Sequence, residues 1–259
     1  MLFAELADVR LHYRFDGAAD APVVMLSNSL GTNLAMWDAQ VPPLAARYRV
    51  LRYDSRGHGQ STVTRDPYTI EQLGRDALGL LDHLGLQRVR FCGLSMGGMV
   101  GQWLGANAAQ RLSRLVLCNT AAKIGTADVW NTRIAAVNKG GMAAVADGVL
   151  ARWYTASFIA SAPDAIVTTR EMLLTTPAAG YVASCAAVRD MDQRDATSRI
   201  AVPTLVIAGT HDLVTSPVDG RFLADHIAGA QYAELPAAHL SNIEAPLAFT
   251  SALAGFLAD

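Results

Sequence analysis

The sequence predicts an α/β protein: a mostly parallel sheet with helices on both faces and a helical segment inserted late in the fold. Three observations carry that expectation. Short β-branched or aliphatic runs alternate with helical stretches over the first 120 residues, and strand alternating with helix implies parallel pairing through crossovers. The alternation lapses after Thr120 for about 75 residues and resumes at Pro203. The 259 residues are 51% hydrophobic and 17% charged, a globular composition at a length that suits one large domain or one domain with an insertion.

The elements follow in chain order. Residues 1–15 alternate apolar and polar side chains around Phe3, Val9, Leu11 and Tyr13, the pattern of an antiparallel hairpin at a sheet edge. After a turn at 17–21, strands are expected at 23–26, 48–53, 89–92 and 115–117, separated by helices at 36–47, 70–84 and 96–109. The strands read as continuous apolar runs, which suits a sheet buried on both faces. Beyond Thr120 the chain is rich in Ala, Gly, Trp and Arg at helical spacing, with no convincing strand. Strands at 204–208 and 232–235 and helices at 218–227 and 245–257 then complete the sheet. The expected organisation is a core of residues 1–120 and 196–259 with an insertion at 121–195. No internal repeat or Pro/Ser linker marks a second independent domain.

Composition excludes several classes of partner. With 21 basic against 23 acidic residues and a net charge of -2, no basic field exists to neutralise a phosphate backbone, so nucleic acid is not expected. The three cysteines, Cys92, Cys118 and Cys185, form an odd, widely spaced set without a CxxC pair. That signals neither a disulfide framework nor a zinc site and fits a reducing cytoplasm. The first ten residues lack the basic region of a signal peptide, and no apolar run reaches the roughly 18 residues of a membrane helix. Nothing in the sequence signals an oligomeric state.

The sharpest chemical signal is Gly93-Leu94-Ser95-Met96-Gly97, a GxSxG motif directly after an apolar strand and directly before a helix. A serine on such a turn takes a strained backbone conformation that exposes its hydroxyl above the sheet edge. A serine hydroxyl needs a base to take its proton and a third group to orient that base. In this architecture the acid follows a late strand and the histidine follows the last one. Asp212, in AGTHDLVTSP, and His239, in ELPAAHL, hold those places. His211 precedes the last strand, while His12, His83 and His226 fall on an edge strand or helices. His58, in DSRGHG, is expected to hold the loop after Tyr53. Asn119 occupies another position from which an acid could reach the histidine, but it has no carboxylate to supply.

Acyl transfer also needs donors aimed at the oxygen that becomes negative. The backbone N–H of Met96, next to the nucleophile, is one expected donor. The backbone N–H of Leu30, in the loop Ser27-Asn28-Ser29-Leu30-Gly31, is the other.

On these residues the chain resembles the α/β-hydrolase fold over nearly its whole length. The resemblance rests on Asp54-Ser55-Arg56-Gly57-His58-Gly59-Gln60-Ser61, on Gly93 to Gly98, on Ala208-Gly209-Thr210-His211-Asp212 and on His239 with Glu244-Ala245-Pro246. More narrowly it is similar to the 3-oxoadipate enol-lactonases of aromatic-compound degradation. LSNSLGTNLAMWDAQ (26–40), CGLSMGGMVGQWLGANAAQRLSRLVLCNTAAKIG (92–125) and AGTHDLVTSP carry that closer match. Many α/β-hydrolases have His-Gly where this chain has Asn28-Ser29, a departure shared with the lactonase group.

The resemblance implies attack by Ser95 on a lactone carbonyl, with His239 as base, Asp212 as its partner, and an acyl-enzyme hydrolysed by water. It implies no metal and no organic cofactor, and the sequence offers neither metal-ligand spacing nor a GxGxxG after a strand. The expected partner is a small anionic lactone.

The insertion is then expected to cap Ser95 and read the substrate. An enol-lactone of this type carries a carboxylate, so a cation belongs in the pocket. Residues 121–170 carry five basic and three acidic side chains, net +2, which leaves -4 elsewhere. Arg133, one helical turn from Trp130, is the expected anchor, with Trp130 and Trp153 as walls. A solvated Arg133 is the competing reading, since charged helix residues are mostly exposed. The same triad would also serve a general carboxylesterase, a cofactor-free perhydrolase or a hydrolase of carbon-carbon bonds. A dehalogenase is disfavoured, because it would need Asp at position 95. A ligand receptor of hydrolase fold is a further reading, distinguished by its lack of turnover.

Overall fold

The structure, a computed structural model, describes residues 2–64 and 67–258. Strands β1 (Leu2–Glu5), β2 (Arg10–Asp16), β3 (Val23–Ser27), β4 (Arg49–Tyr53), β5 (Val89–Leu94), β6 (Leu112–Cys118), β7 (Thr204–Gly209) and β8 (Gln231–Leu235) form one sheet. Their spatial order is β1-β2-β4-β3-β5-β6-β7-β8. β2 runs antiparallel to β1 and β4, and every other neighbouring pair is parallel. The mostly parallel sheet and the edge hairpin read from the sequence are both present. Its central strands are buried on both faces, as their unbroken apolar runs require.

Helices α1 (Val41–Ala45), α2 (Ile70–His83) and α3 (Met96–Asn107) belong to the first half of the sheet. Five helices lie between β6 and β7: α4 (Ala127–Gly140), α5 (Ala143–Trp153), α6 (Ala156–Ser161), α7 (Pro163–Thr175) and α8 (Ala178–Asp190). α9 (Pro217–His226), α10 (Ser241–Glu244) and α11 (Pro246–Ala258) complete the chain. One expected helix, 36–47, is not continuous. A 3-10 turn spans Leu34–Trp37, and α1 begins only at Val41. The cause is Pro42-Pro43: proline has no N–H to donate and is tolerated only in a first helical turn, so a helix must start there rather than run through.

Two features of the sheet position the site. The chain places β4 on one side of β3 and β5 on the other, so the loops leaving β3 and β5 diverge and open a crevice at their carboxyl ends. Ser27, the last residue of β3, pairs with Gly93 near the end of β5, so both loops depart at one level. On the far side Gly209 of β7 pairs with Leu235 of β8. The bonds Thr210 N–H to Leu235 O (2.9 Å) and His211 N–H to Ala237 O (3.0 Å) keep the next two loops side by side.

The five inserted helices are tied to this edge by hydrogen bonds. Leu240 N–H donates to Trp153 O (3.1 Å), and Tyr68 N–H to Ala183 O (3.1 Å). Glu244 accepts the Ala238 N–H at 2.8 Å and also the hydroxyl and N–H of Thr155, bridging the loop after β8 to the start of α6.

Candidate active site

Ser95 stands between β5 and α3 with φ 55° and ψ -114°, a conformation that non-glycine residues hold only when their surroundings dictate it. Those surroundings are visible. Its N–H donates to Cys118 O (2.9 Å), and its carbonyl accepts from the Thr120 hydroxyl (2.8 Å). A Cβ at Gly93 would lie 2.1 Å from Gly97 O, and one at Gly97 would lie 2.2 Å from Ser27 O. Both contacts are with backbone, so the motif's glycines are required by close approach.

The loops after β7 and β8 bring Asp212 to His239. His239 Nδ1 lies 2.8 Å from Asp212 Oδ2, with both side chains buried. The carboxylate also accepts from Val214 N–H (2.7 Å), Thr215 N–H (3.0 Å), the Thr215 hydroxyl (2.8 Å) and the Asn119 amide (3.1 Å). Burial pushes the Asp212 carboxyl up, but the facing His239 and the donated hydrogen bonds outweigh it and hold the group below the ordinary carboxylate value. An ionised Asp212 fixes the proton of neutral His239 on Nδ1 and leaves the Nε2 lone pair free.

Sequence reasoning missed Asn119. Held at φ 44°, it donates to Asp212 Oδ2 and Ala238 O (3.1 Å each) and accepts the Ser241 hydroxyl at 2.5 Å. It clamps the acid loop to the histidine loop. Its place at the end of β6, between the two loops, was the available signal.

The loop after β3 is bonded almost residue by residue. Asn28 O accepts Gly97 N–H at 3.0 Å, and the Asn28 amide donates to Tyr53 O at 2.7 Å while accepting Trp37 Nε1–H at 2.9 Å. Ser29 N–H points at Met36 Sδ (3.3 Å), Gly31 N–H at His58 Nε2 (3.0 Å) and Thr32 N–H at Ser29 O (3.2 Å). Between these the Leu30 N–H has no protein acceptor among the described residues. The same holds for the Met96 N–H, between the engaged N–H groups of Ser95 and Gly97.

Ser95 and His239 line one cavity with Ser29, Leu30, Met99, Ile124, Trp130, Arg133, Trp153, Tyr181, Val188 and Val214. All three residues expected from the insertion therefore line the same cavity as the serine. Arg133 lies over the Trp130 ring, 4.7 Å from its centroid. No carboxylate of the described residues pairs with it; Asp147 of α5 is taken by Arg170 at 3.3 Å. Arg133 also lines an outer groove between α4 and α5 together with Arg152, which pairs with no carboxylate among the described residues and which sequence reasoning did not single out. Burial, then repulsion from Arg133, lowers the pKa of Arg152. Burial raises the Tyr181 phenol to about 12, against the pull of both arginines, so it stays a neutral donor.

A family model of the alpha/beta hydrolase fold matches residues 22–246. The chain belongs to the α/β-hydrolase family. Among curated relatives, 3-oxoadipate enol-lactonase 2 of Acinetobacter baylyi is 43% identical over 95% of this chain and 92% of its own. Among solved structures, an enol-lactonase from Burkholderia xenovorans matches with TM-score 0.98 and 48% identity over the full length of both chains. A hydrolase from Pseudomonas aeruginosa matches at 0.97 and 49%, covering 100% of this chain and 98% of that one. The narrower resemblance stated from the motifs is thus the one that the Acinetobacter and Burkholderia proteins carry.

Among the remaining histidines of this α/β hydrolase, His12 pairs with Asp54 at 2.8 Å, and His226 caps its own helix through Phe222 O at 2.8 Å. His58 holds the loop after Tyr53, its Nδ1 3.1 Å from Arg56 O. It does not hold only its own loop but reaches across to Gly31 in the loop after β3.

Proposed function

We propose that the protein hydrolyses the lactone bond of 3-oxoadipate enol-lactone to give 3-oxoadipate, a step of aromatic-compound degradation by the β-ketoadipate pathway, through a Ser95 acyl-enzyme. The observation that carries this reading is the cavity itself: Ser95, His239 and an arginine without a protein carboxylate share it. The similarity to enol-lactonases over nearly the whole chain supports the same substrate.

Ser95 Oγ attacks the lactone carbonyl as His239 Nε2 takes its proton, and Asp212 stabilises the imidazolium. The unengaged N–H groups of Leu30 and Met96 receive the oxyanion, a contribution worth about 10²–10³ in kcat per donor. Collapse breaks the ring C–O bond. The departing oxygen is an enolate, more stable than an alkoxide, which takes a proton from the imidazolium and tautomerises to the ketone. Water then gives a proton to His239, attacks the acyl carbon and releases Ser95. Helices α4 to α8 act as a cap that excludes bulk water, and Arg133 receives the substrate carboxylate against the Trp130 and Trp153 walls.

The reading needs no metal or organic cofactor, and its partner is a small anionic lactone. No helix among the described residues is long and apolar enough to cross a membrane. Three free, buried thiols suit the reducing cytoplasm, where we place the enzyme.

The test is to mix purified protein with freshly generated enol-lactone and follow loss of its ultraviolet absorbance, with Ser95→Ala as control. Serine-dependent turnover supports the reading. Inactivity on the lactone beside good activity on aryl esters would leave a general esterase.

A further inference from the structure

We infer that His58 is a positioning residue for the oxyanion hole: its Nε2 holds the Gly31 N–H so that the adjacent Leu30 N–H is left facing the cavity. The inference rests on the serine-hydrolase reading above, but not on the identity of the ester.

His58 is fully buried and sits in a tight turn, its N–H donating to Ser55 O (2.9 Å) and its carbonyl accepting Ser61 N–H (3.0 Å). Its ring makes two bonds of opposite sense. Nε2 lies 3.0 Å from the Gly31 nitrogen, which can only donate. Nδ1 lies 3.1 Å from the Arg56 carbonyl, which can only accept. Together they require the neutral ring with its proton on Nδ1. Burial, which lowers the pKa of this imidazole, favours the same neutral form. A ring so occupied cannot serve as a base for Ser95, and His58 does not line the cavity.

The bond continues inward to a rigid anchor. The Arg56 guanidinium is held by Asp76 of α2 (2.6 and 2.8 Å) and by Asp8 (2.8 and 2.9 Å). The Arg56 carbonyl therefore offers a fixed point against which the imidazole is oriented. On the other side of the loop, Gly31 O accepts the Thr176 hydroxyl of the cap at 3.1 Å. Gly31 is gripped at both its N–H and its C=O, and a Cβ there would lie 2.7 Å from Leu173 Cδ1. Without the Nε2 acceptor, the Gly31 N–H is a buried donor with no partner, a state the loop escapes by rotating. The two N–H groups lie in peptide planes that meet at Leu30 Cα, so a change in the Leu30 backbone torsions that re-aims the Gly31 N–H also turns the Leu30 N–H away from the oxyanion.

Two substitutions separate the ring's two bonds. In His58→Asn an amide can still reach Arg56 O, but nothing accepts the Gly31 N–H. In His58→Gln the longer chain brings an amide oxygen to the place of Nε2. Hydrolysis of a neutral aryl ester is measured for each beside wild type and Ser95→Ala, together with melting temperature and inhibition by a boronic acid, which adds to serine and places an oxygen in the oxyanion hole. For His58→Asn, kcat is expected to fall about 10–100-fold, less than outright loss of one donor. KM should stay within about twofold, because the ground-state ester does not depend on the hole. The boronate Ki should rise in parallel with the kcat loss, and His58→Gln should recover kcat to within about threefold of wild type.

Loss confined to KM, an unchanged boronate Ki, or equal kcat losses in both variants would overturn the inference. In wild type, 15N NMR of the imidazole reports which ring nitrogen holds the proton without any substitution. A proton on Nε2 would overturn it as well. Absence of Ser95-dependent turnover in wild type would instead sink the serine-hydrolase reading.

Discussion

Replacing Asp212 with Asn tests the hydrogen-bond logic of the site most sharply. The carboxylate accepts five hydrogen bonds: Val214 and Thr215 N–H on Oδ1, and the Thr215 hydroxyl, Asn119 amide and His239 Nδ1–H on Oδ2. Two of these donors are backbone N–H groups, so an Asn amide must turn its oxygen to them and its NH₂ toward the Oδ2 side. His239 Nδ1 then has to accept rather than donate, which moves the ring proton to Nε2. That is the nitrogen that must take the Ser95 proton. The NH₂ also confronts the Asn119 amide, which cannot reverse without abandoning the Ser241 hydroxyl and Ala238 O. The wrong tautomer and the lost stabilisation of imidazolium together predict a kcat loss of about 10³–10⁴, or roughly 4–5.5 kcal/mol of barrier. The assay is steady-state hydrolysis of aryl ester and enol-lactone, with boronate binding to report an intact oxyanion hole. A loss below tenfold, or one confined to KM, would refute the reasoning.

Other expectations follow from single contacts. Arg133→Ala should raise KM for the anionic lactone about tenfold or more while a neutral ester stays within about twofold; equal loss on both removes the anchor role. Arg152→Ala should raise the same KM less, and the difference should vanish at about 1 M salt, where the screening length is about 3 Å; a salt-independent effect would mean packing rather than attraction. Asn119→Asp sets a second carboxyl against Asp212 Oδ2, now 3.1 Å from the amide. Like charges so close raise the apparent pKa of the pair, so the proton is retained to higher pH and activity is lost earlier as pH falls. An unmoved acid limb in the pH profile contradicts this. Gly97→Ala forces a Cβ to 2.2 Å from Ser27 O; a backbone neighbour cannot yield, so about 3 kcal/mol of stability and roughly 6–12 °C of melting temperature should be lost. A melting temperature within 2 °C of wild type, the shift of about 0.5–1 kcal/mol, refutes it.

What was legible in the sequence was whatever is encoded locally. A GxSxG between an apolar run and a helical pattern places Ser95 because strand, turn and helix each have a signature within a few residues. Asp212 and His239 follow from chain order, since loops after parallel strands all emerge at one sheet edge. The missed features are bonds between loops from different strands. Asn119 was set aside for lacking a carboxylate, yet its amide joins the Asp212 and His239 loops. His58 was assigned to its own loop because nothing in DSRGHG tells that Gly31 lies 3.0 Å away. The helix expected over 36–47 failed for a different reason: apolar spacing was weighted above the local veto of Pro42-Pro43.

The site combines two kinds of local cost that each need an outside support. Ser95 and Asn119 hold positive φ angles, and strain of that sort amounts to about 1–3 kcal/mol per residue. Among the described residues, Arg133 has no carboxylate partner and the Leu30 and Met96 N–H groups have no acceptor. A relaxed fold would satisfy those groups internally, at the expense of having nothing left to offer a substrate. Here the neighbours on either side of each free donor are engaged instead: Ser29 and Gly31 around Leu30, Ser95 and Gly97 around Met96. Such flanking bonds fix the backbone on either side of each free donor. The net charge of -2 conceals an asymmetry on a larger scale, because residues 121–170, which include Arg133 and Arg152, are net +2 against -4 elsewhere. Arg133, with no carboxylate of the described residues on it, is thereby left free for the one that the proposed substrate carries.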